Sequence, residues 1–270
     1  MAQAEHLAST VLLGEHGRRR AGMGDEFWQY RPIAHGDEVR QIDWRRSARS
    51  DVHFIRQKEW QAAQSVVLWV DGSKSMGFTG DRSRAPKSDR ARLLALALSV
   101  LLVRAGERVG LANLGAPPRS GQVQLLRLAE ALSGELSGAD YGTPVTRGLP
   151  AHARAVFLSD FMGDMRGVEA ALAAAADRGV RGALMQILDP VEEDFPFDGR
   201  TIFESMGGTI EYETLKAGEL RQRYLDRLAA RKDRLEHLAR ISGWLYDCHH
   251  TGHSAQSALL WLYSALERAR

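Results

Sequence analysis

The sequence predicts an α/β fold with a mostly parallel sheet, on three observations. Val66 to Val70 and Ala155 to Leu158 are continuous apolar runs, the first followed by Asp71 and the second by Ser159-Asp160. Runs of that length bounded by turn residues are the pattern of strands buried on both faces. Between Val66 and Leu114 the order is strand, helix, strand, at a length that favours a parallel crossover. Gly182 to Asp189 is a further apolar run, stopped by Pro190.

Taken in order, residues 1–17 predict a short helix with Leu7 and Val11 on one face. Gly17 to Phe27 is a glycine-punctuated basic loop containing Arg18 to Arg20, a solvated run or an anion or partner contact. His35 to Arg49 is dense in Asp, Arg and Trp. Asp37, Asp43, Arg40, Arg45 and Arg49 are expected to form an ion-pair lattice anchored by Trp44, because the guanidinium fork binds carboxylates bidentately. A direct ligand-binding role is the other reading of this Gly36 to Arg49 segment. Val52 to Trp60 alternates as a strand at or near the sheet edge.

After Asp71, Gly77 to Arg84 is a polar loop, and Ser88-Asp89 is read as the cap of a helix reaching Arg104, with Leu93, Leu96, Ala97, Val100 and Leu101 at helical spacing. Arg108 to Leu114 is a second short strand and Leu125 to Leu136 an amphipathic helix. Ala170 to Ala176 is helical; Phe195 to Phe203 and Thr209 to Glu213 form short edge strands or a hairpin. Two helices, Leu215 to Ile241 and Ser254 to Arg268, finish the chain.

At 270 residues the chain has room for one sizeable domain with an extension, divided here as an N-terminal Arg/Asp/Trp-rich segment 1–60 packed on a domain 61–270. Hydrophobic residues at 44% and charged residues at 26% are ordinary for a soluble globular protein. A net charge of +2 sets up no strong field toward nucleic acid or membrane. Cys248 is the single cysteine, which excludes an intrachain disulfide and suits the cytoplasm. Met1 to Leu13 has no signal pattern, and the longest apolar stretch, Leu93 to Val103, falls short of a bilayer span.

The chemistry concentrates at Asp71-Gly72-Ser73-Lys74-Ser75. One carboxylate and two hydroxyls on a turn at a strand's carboxyl end form a hard oxygen set suited to Mg²⁺ or Mn²⁺. Other chemistries fit less well. An aspartyl nucleophile of the haloacid-dehalogenase kind needs a second aspartate where Ser73 stands, and the phosphate loop and serine elbow lack their glycines. No histidine or glutamate in the motif offers a general base, so binding rather than catalysis is expected. Cys248-His249-His250-x-x-His253 has zinc-like composition without a second ligand pair and reads as core or loop. His35 and His53 read as structural.

Strand-Asp-x-Ser-x-Ser, then Gly142-Thr143 in a later loop, then a strand ending in Asp160, resembles the metal-ion-dependent adhesion site of von Willebrand factor A-type domains. The resemblance implies a three-layer, Rossmann-like fold and a divalent cation on Asp71, Ser73, Ser75, Thr143 and Asp160, completed by a partner's acidic side chain. In those domains a full helix usually follows the threonine loop. Here only Pro144 to Arg154 intervene, with Gly148 and Pro150 inside, so the third hydroxyl is Thr143 or Thr146, the preceding Gly142 favouring Thr143. Gly24 to Phe27, Tyr30-Arg31-Pro32, Gly36 to Trp44 and Ser47 to Arg49 are similar to the signature of the bacterial domain-of-unknown-function family numbered fifty-eight. Its members carry a von Willebrand A-like domain, and the resemblance spans about Gly17 to the last helix. It implies a MoxR-type AAA+ ATPase as partner and a role as metal-dependent adaptor or co-chaperone, with a metal-free structural adaptor or a metal-assisted hydrolase as alternatives. Many relatives carry N-terminal membrane helices, and none is read in this chain.

Overall fold

The computed structural model describes residues 1–11, 18–22, 26–34, 37–48, 52–136, 138–204, 208 and 211–268. They fall into two compact units, Glu15–Gln64 and a larger one made of Met1–Gly14 with Ser65–Arg270. The chain enters the larger unit with helix α1 (Ala2–Ser9), which buries Ala4 and Ala8.

The smaller unit is a three-stranded antiparallel sheet of β1 (Arg18–Gly22), β2 (Glu26–Pro32) and β3 (Phe54–Ala62), in the order β1-β3-β2. Arg18 to Arg20 therefore lie on a strand and not in a loop, paired with Ala62, Gln61 and Trp60. The expectation that Val52 to Trp60 joins the edge of the parallel sheet is also corrected, since β3 is the middle strand of this separate sheet. The ion-pair lattice takes a different form as well. Asp37 is held bidentately by Arg31 at 2.6 Å on both oxygens, and that guanidinium, with the Ala34 N–H, holds its carboxyl down to about 2. Asp43 caps the short helix α2 (Trp44–Ser47) by accepting the Arg46 N–H, and Arg40 pairs with Glu38. Trp44 is 57% exposed, with its ring edge on His53, so it anchors no core. His35, Gly36 and Arg49 lie outside the described residues.

In the larger unit five strands form a wholly parallel sheet: β4 (Ser65–Val70), β5 (Arg108–Leu111), β6 (Arg154–Ser159), β7 (Arg181–Leu188) and β10 (Leu245–His250), in the order β10-β7-β6-β4-β5. Because side chains alternate across a strand, Val66, Leu68 and Val70 pack into one core and Val67 and Trp69 into another. The first core is closed by α1, α3 (Lys87–Arg104), α4 (Gln122–Leu132) and α8 (Ala255–Arg268); the second by α5 (Met165–Asp177) and α7 (Ala217–Ile241). Helices on both faces of one sheet make three layers. Fully buried side chains such as Leu68, Leu94, Leu98 and Phe157 each contribute roughly 1.5–3 kcal/mol by burial. Helix α6 (Pro190–Asp194) follows β7, and β8 (Thr201–Glu204) and β9 (Glu211–Thr214) form the expected hairpin. Among the described residues no helix is long and apolar enough to cross a membrane.

Several boundaries differ from the sequence reading: β5 stops at Leu111, where a 3-10 turn takes over, α4 runs from Gln122 to Leu132, and α5 from Met165 to Asp177. Helix α3 starts at Lys87 after Pro86, without a side-chain cap, so Ser88 and Asp89 lie in its first turn. The segment around Cys248 is the edge strand β10. It is held by Arg90 of α3, which donates to His249 Nε2 at 2.7 Å and to the carbonyls of Thr251 and His253. Burial, then the Arg90 charge, pushes the His249 imidazole down to about 3. Unfolded, it would titrate near 6.5, so the unfolded chain binds the extra proton between those values. Stability from this residue is thus complete above about pH 6.5 and falls by up to about 1.4 kcal/mol per pH unit on acidification. Urea melts from pH 7 to pH 4 will show a shallower acid slope, by one proton, for His249→Gln than for the wild type.

Candidate functional site

Strand β5 lies on one side of β4 and β6 on the other, so the chain reverses direction across the sheet at β4. The crevice beyond the carboxyl ends of β4 and β6 is the topological switch point, where open α/β sheets place ligands. Asp71 and Asp160 both emerge there, 2% and 1% exposed, and the Asp71 N–H donates to Leu158 O at 2.9 Å, tying the two strand ends together.

The turn after Asp71 is built on its carboxylate. Oδ1 accepts the Ser73 N–H at 2.8 Å, and Oδ2 accepts the Ser159 hydroxyl at 2.6 Å. The Ser73 and Ser75 hydroxyls lie 3.2 Å apart, both buried. The loop 139–142 lies over this turn, with Lys74 N–H donating to Ala139 O and Ser75 N–H to Asp140 O. Gly142 packs directly on the Asp71 carboxyl, where a Cβ would stand 2.2 Å from Oδ1. Thr143 is exposed and leans on the first turn of α5, its methyl 2.6 Å from where a Gly167 Cβ would be. Residues 144–153 form turns without a helix, and Thr146 O accepts the Leu149 N–H in one of them.

Asp160 is engaged differently from Asp71. Its Oδ1 accepts the Met162 N–H, and its Oδ2 takes the Lys87 ammonium at 2.9 Å. The same Nζ donates to Glu192 Oε1 at 2.7 Å, over the ring of Phe78. Lys87 is 1% exposed. Burial pushes its ammonium down, but Asp160 and Glu192 together outweigh burial and hold it above the ordinary lysine value. Burial pushes the Glu192 carboxyl up, against the pull of Lys87. Glu192 is fixed independently by a capping box: its Oε2 accepts the Asp189 N–H while Asp189 caps α6. Asp189 in turn is held by Arg84 and Thr251.

Behind Asp160 the backbone is strained. Phe161 has φ +50°, left-handed for a bulky residue. Arg231 of α7 braces the turn by donating to Phe161 O and Gly163 O at 2.6 and 2.7 Å. A cavity of about 300 Å³ is lined by Ser75, Lys87, Tyr141, Asp160, Glu192 and Arg231, among others. It adjoins an apolar recess of about 610 Å³ whose walls include Phe195, Phe197, Phe203, Tyr224, Arg223 and Arg227. Phe78, Glu192, Tyr224 and Arg227 belong to both.

The donor set fits a hard divalent ion at one end. An octahedral ion with oxygens at about 2.1 Å separates neighbouring ligands by about 3 Å, close to the Ser73–Ser75 spacing. Among the described residues no ammonium or guanidinium pairs with Asp71, and a buried carboxylate without a counter-charge is costly. Asp160 fits less well, since Lys87 already supplies its cation. Elsewhere Glu193, Cys248 and His250 bring ligand atoms within 4.8 Å of one another. There the Lys232 ammonium pairs with Glu193, and burial pushes the Cys248 thiol up.

Sequence reasoning missed Lys87 and Glu192, which act through the fold from 73 and 105 positions away from their partners. Two uncharacterized proteins, one from Mycobacterium bovis and one from Mycobacterium tuberculosis, are 29% identical to the chain over 208 residues, 72% of its length. The chain spans 64% of the length of these curated relatives. An aerotolerance-related membrane protein from Bacteroides fragilis aligns over 76% of this chain and all of its own, at a TM-score of 0.42 and 15% identity. BatB from Bacteroides thetaiotaomicron aligns over the same shares at 0.35 and 13%. Residues 29–234 match the family described as "Protein of unknown function DUF58", and the chain belongs to that family.

Proposed function

We propose that this protein is a von Willebrand A-like protein-binding module, acting as an adaptor or co-chaperone for a MoxR-type AAA+ ATPase in the bacterial cytoplasm. Mg²⁺ or Mn²⁺ would be held by Asp71, Ser73 and Ser75, with Thr143 the remaining hydroxyl on the neighbouring loop. The ion would supply an electrophilic position for a partner's acidic side chain. The observation that carries this reading is the buried Asp71 carboxylate, held by the Ser73 N–H and the Ser159 hydroxyl and by no cationic side chain among the described residues, on the same turn as two hydroxyls 3.2 Å apart at the switch point. The adjoining apolar recess with Arg223 and Arg227 on its wall suits a protein segment that carries both apolar and acidic side chains. Binding is favoured over catalysis because the two remaining carboxylates, Asp160 and Glu192, are committed to Lys87 and are poor general bases.

Calorimetric titration with Mg²⁺ tests the reading: Asp71→Ala is expected to weaken binding at least about tenfold. Equal, negligible heats in the wild type and the variant would sink the metal assignment. The Lys87–Asp160 ion pair favours a second reading, a metal-free adaptor. Capture of the ATPase by the tagged protein would then be indifferent to chelator, whereas the first reading requires chelator to abolish it.

A further inference from the structure

We infer that the Lys87 ammonium is a resident cation of this site, reserving Asp160 and Glu192 for itself and confining any divalent ion to Asp71, Ser73 and Ser75. The inference rests on the reading of those three residues as a cation site.

Lys87 is 1% exposed, and its three donors face a closed environment. Asp160 Oδ2 stands at 2.9 Å, Glu192 Oε1 at 2.7 Å and the Phe78 ring centre at 5.6 Å. Both acids are fixed by contacts that do not involve the lysine. Asp160 is oriented by the Met162 N–H, and Glu192 by the capping box at Asp189, itself clamped by Arg84 and Thr251. Two preset carboxylates from β6 and α6 thus converge on one point, where an ammonium supplies the positive charge. An ammonium satisfies carboxylates without offering a coordination position.

The consequence is selective. Ser75, Lys87 and Asp160 line one cavity, so removing the ammonium would open Asp160 to an ion seated on the Ser75 hydroxyl. With Lys87 in place, one carboxylate and two hydroxyls would be left to hold an ion, a weak set that a further acidic ligand would strengthen. A partner's carboxylate then makes a large difference to the ion, and the ion to the partner. Lys87 keeps free-state affinity low so that metal and acidic partner bind together.

The test is a Mn²⁺ titration followed by electron paramagnetic resonance, on the full chain as wild type, Lys87→Met and the double variant Lys87→Met/Asp160→Asn, with folding checked by circular dichroism. Lys87→Met is expected to bind Mn²⁺ about tenfold tighter or more, as expected when a carboxylate joins the ligands, and the double variant to lose that gain. A folded Lys87→Met that binds no tighter than the wild type overturns the inference, as does a gain that survives in the double variant. Absence of Mn²⁺ binding by the wild type defeats the reading of Asp71, Ser73 and Ser75 alone. A gain in Lys87→Met that depends on Asp160 would still uphold the lysine assignment. Should Lys87→Met fail to fold, ¹⁵N spectra of the wild type decide: a slowly exchanging Lys87 ammonium that persists on addition of Mg²⁺ supports the inference, and its displacement by Mg²⁺ overturns it.

Discussion

Lys87→Met, measured in chelator, will lose about 3–5 kcal/mol of folding stability, the usual cost of leaving buried charges without their partner. Asp160 and Glu192 would then face each other as like charges, with Lys87 and Asp160 each 1% exposed and Glu192 14%. Total stability of a domain is typically about 5–15 kcal/mol, so the loss takes a large share of it and the urea midpoint drops steeply. The slope of the transition should stay unchanged, since the surface exposed on unfolding is the same. Neutralising both acids in the same chain (Lys87→Met/Asp160→Asn/Glu192→Gln) should recover most of the loss, because a buried ion cluster replaced whole costs far less than one broken in part. Lys216→Ala is the control. Its partner Glu219 and the lysine itself are 68% and 72% exposed, and such surface pairs contribute about 1 kcal/mol or less. A loss below about 1 kcal/mol in Lys87→Met would mean that water reaches the two carboxylates.

The sheet was legible where burial forces a continuous apolar run. Strands β4, β6 and β7 are buried along nearly their whole length, and their order of appearance with intervening helices dictates parallel crossovers. Part of the candidate site was legible for a related reason, since Asp71, Ser73 and Ser75 sit on one turn and Asp160 ends a second apolar run. What escaped the sequence is long-range or polar. Strand β10 is a half-buried edge of Leu-Tyr-Asp-Cys-His-His, so it carries no apolar strand pattern and reads in the sequence as core or loop. Strand β3 alternates as a strand should, but its partners are decided by the distant β1 and β2. Trp44 reads in the sequence as an apolar anchor, yet the short α2 presents it outward.

Lys87 left a trace that can be read in retrospect. The first turn of a helix favours acids through the macrodipole, and a lysine opening α3 runs against that rule, a conflict that costs stability unless buried carboxylates reward it. Asp189-Pro190-Val191-Glu192 is equally informative, because aspartate, proline and glutamate at that spacing predict a capping box. That box places Glu192 at the sheet's carboxyl edge. The two signals name both ends of the ion pair, while only the fold brings them within 2.7 Å.

Three glycines will separate the roles of fold and site. Gly182→Ala is expected to cost more than about 4 kcal/mol, the range reserved for severe backbone or core conflict, and to leave little folded protein. In β7, opposite Ala155 of β6, its Cβ would stand 1.7 Å from the Ala155 carbonyl oxygen and 2.7 Å from the carbonyl carbon. Neither atom can retreat without parting the two central strands, and β6 is the strand that delivers Asp160. Gly142→Ala meets a side chain instead, with its Cβ 2.2 Å from Asp71 Oδ1. The carboxyl can rotate away, at about 1–3 kcal/mol for overpacking, but only by releasing the Ser73 N–H and the Ser159 hydroxyl. Its main effect is therefore on Mn²⁺ affinity, a fall of about tenfold or more. Gly72→Ala, inside the Asp-x-Ser-x-Ser turn itself, meets nothing within 4 Å and should change stability by no more than about 0.5 kcal/mol. Urea melts and Mn²⁺ titrations on the three variants should thus give a severe folding loss for Gly182→Ala, a binding loss with a smaller folding cost for Gly142→Ala, and neither for Gly72→Ala. A Gly182→Ala protein that melts within about 1 kcal/mol of the wild type would contradict the tight β6–β7 packing, and with it the route by which the fold sets Asp160 beside Lys87.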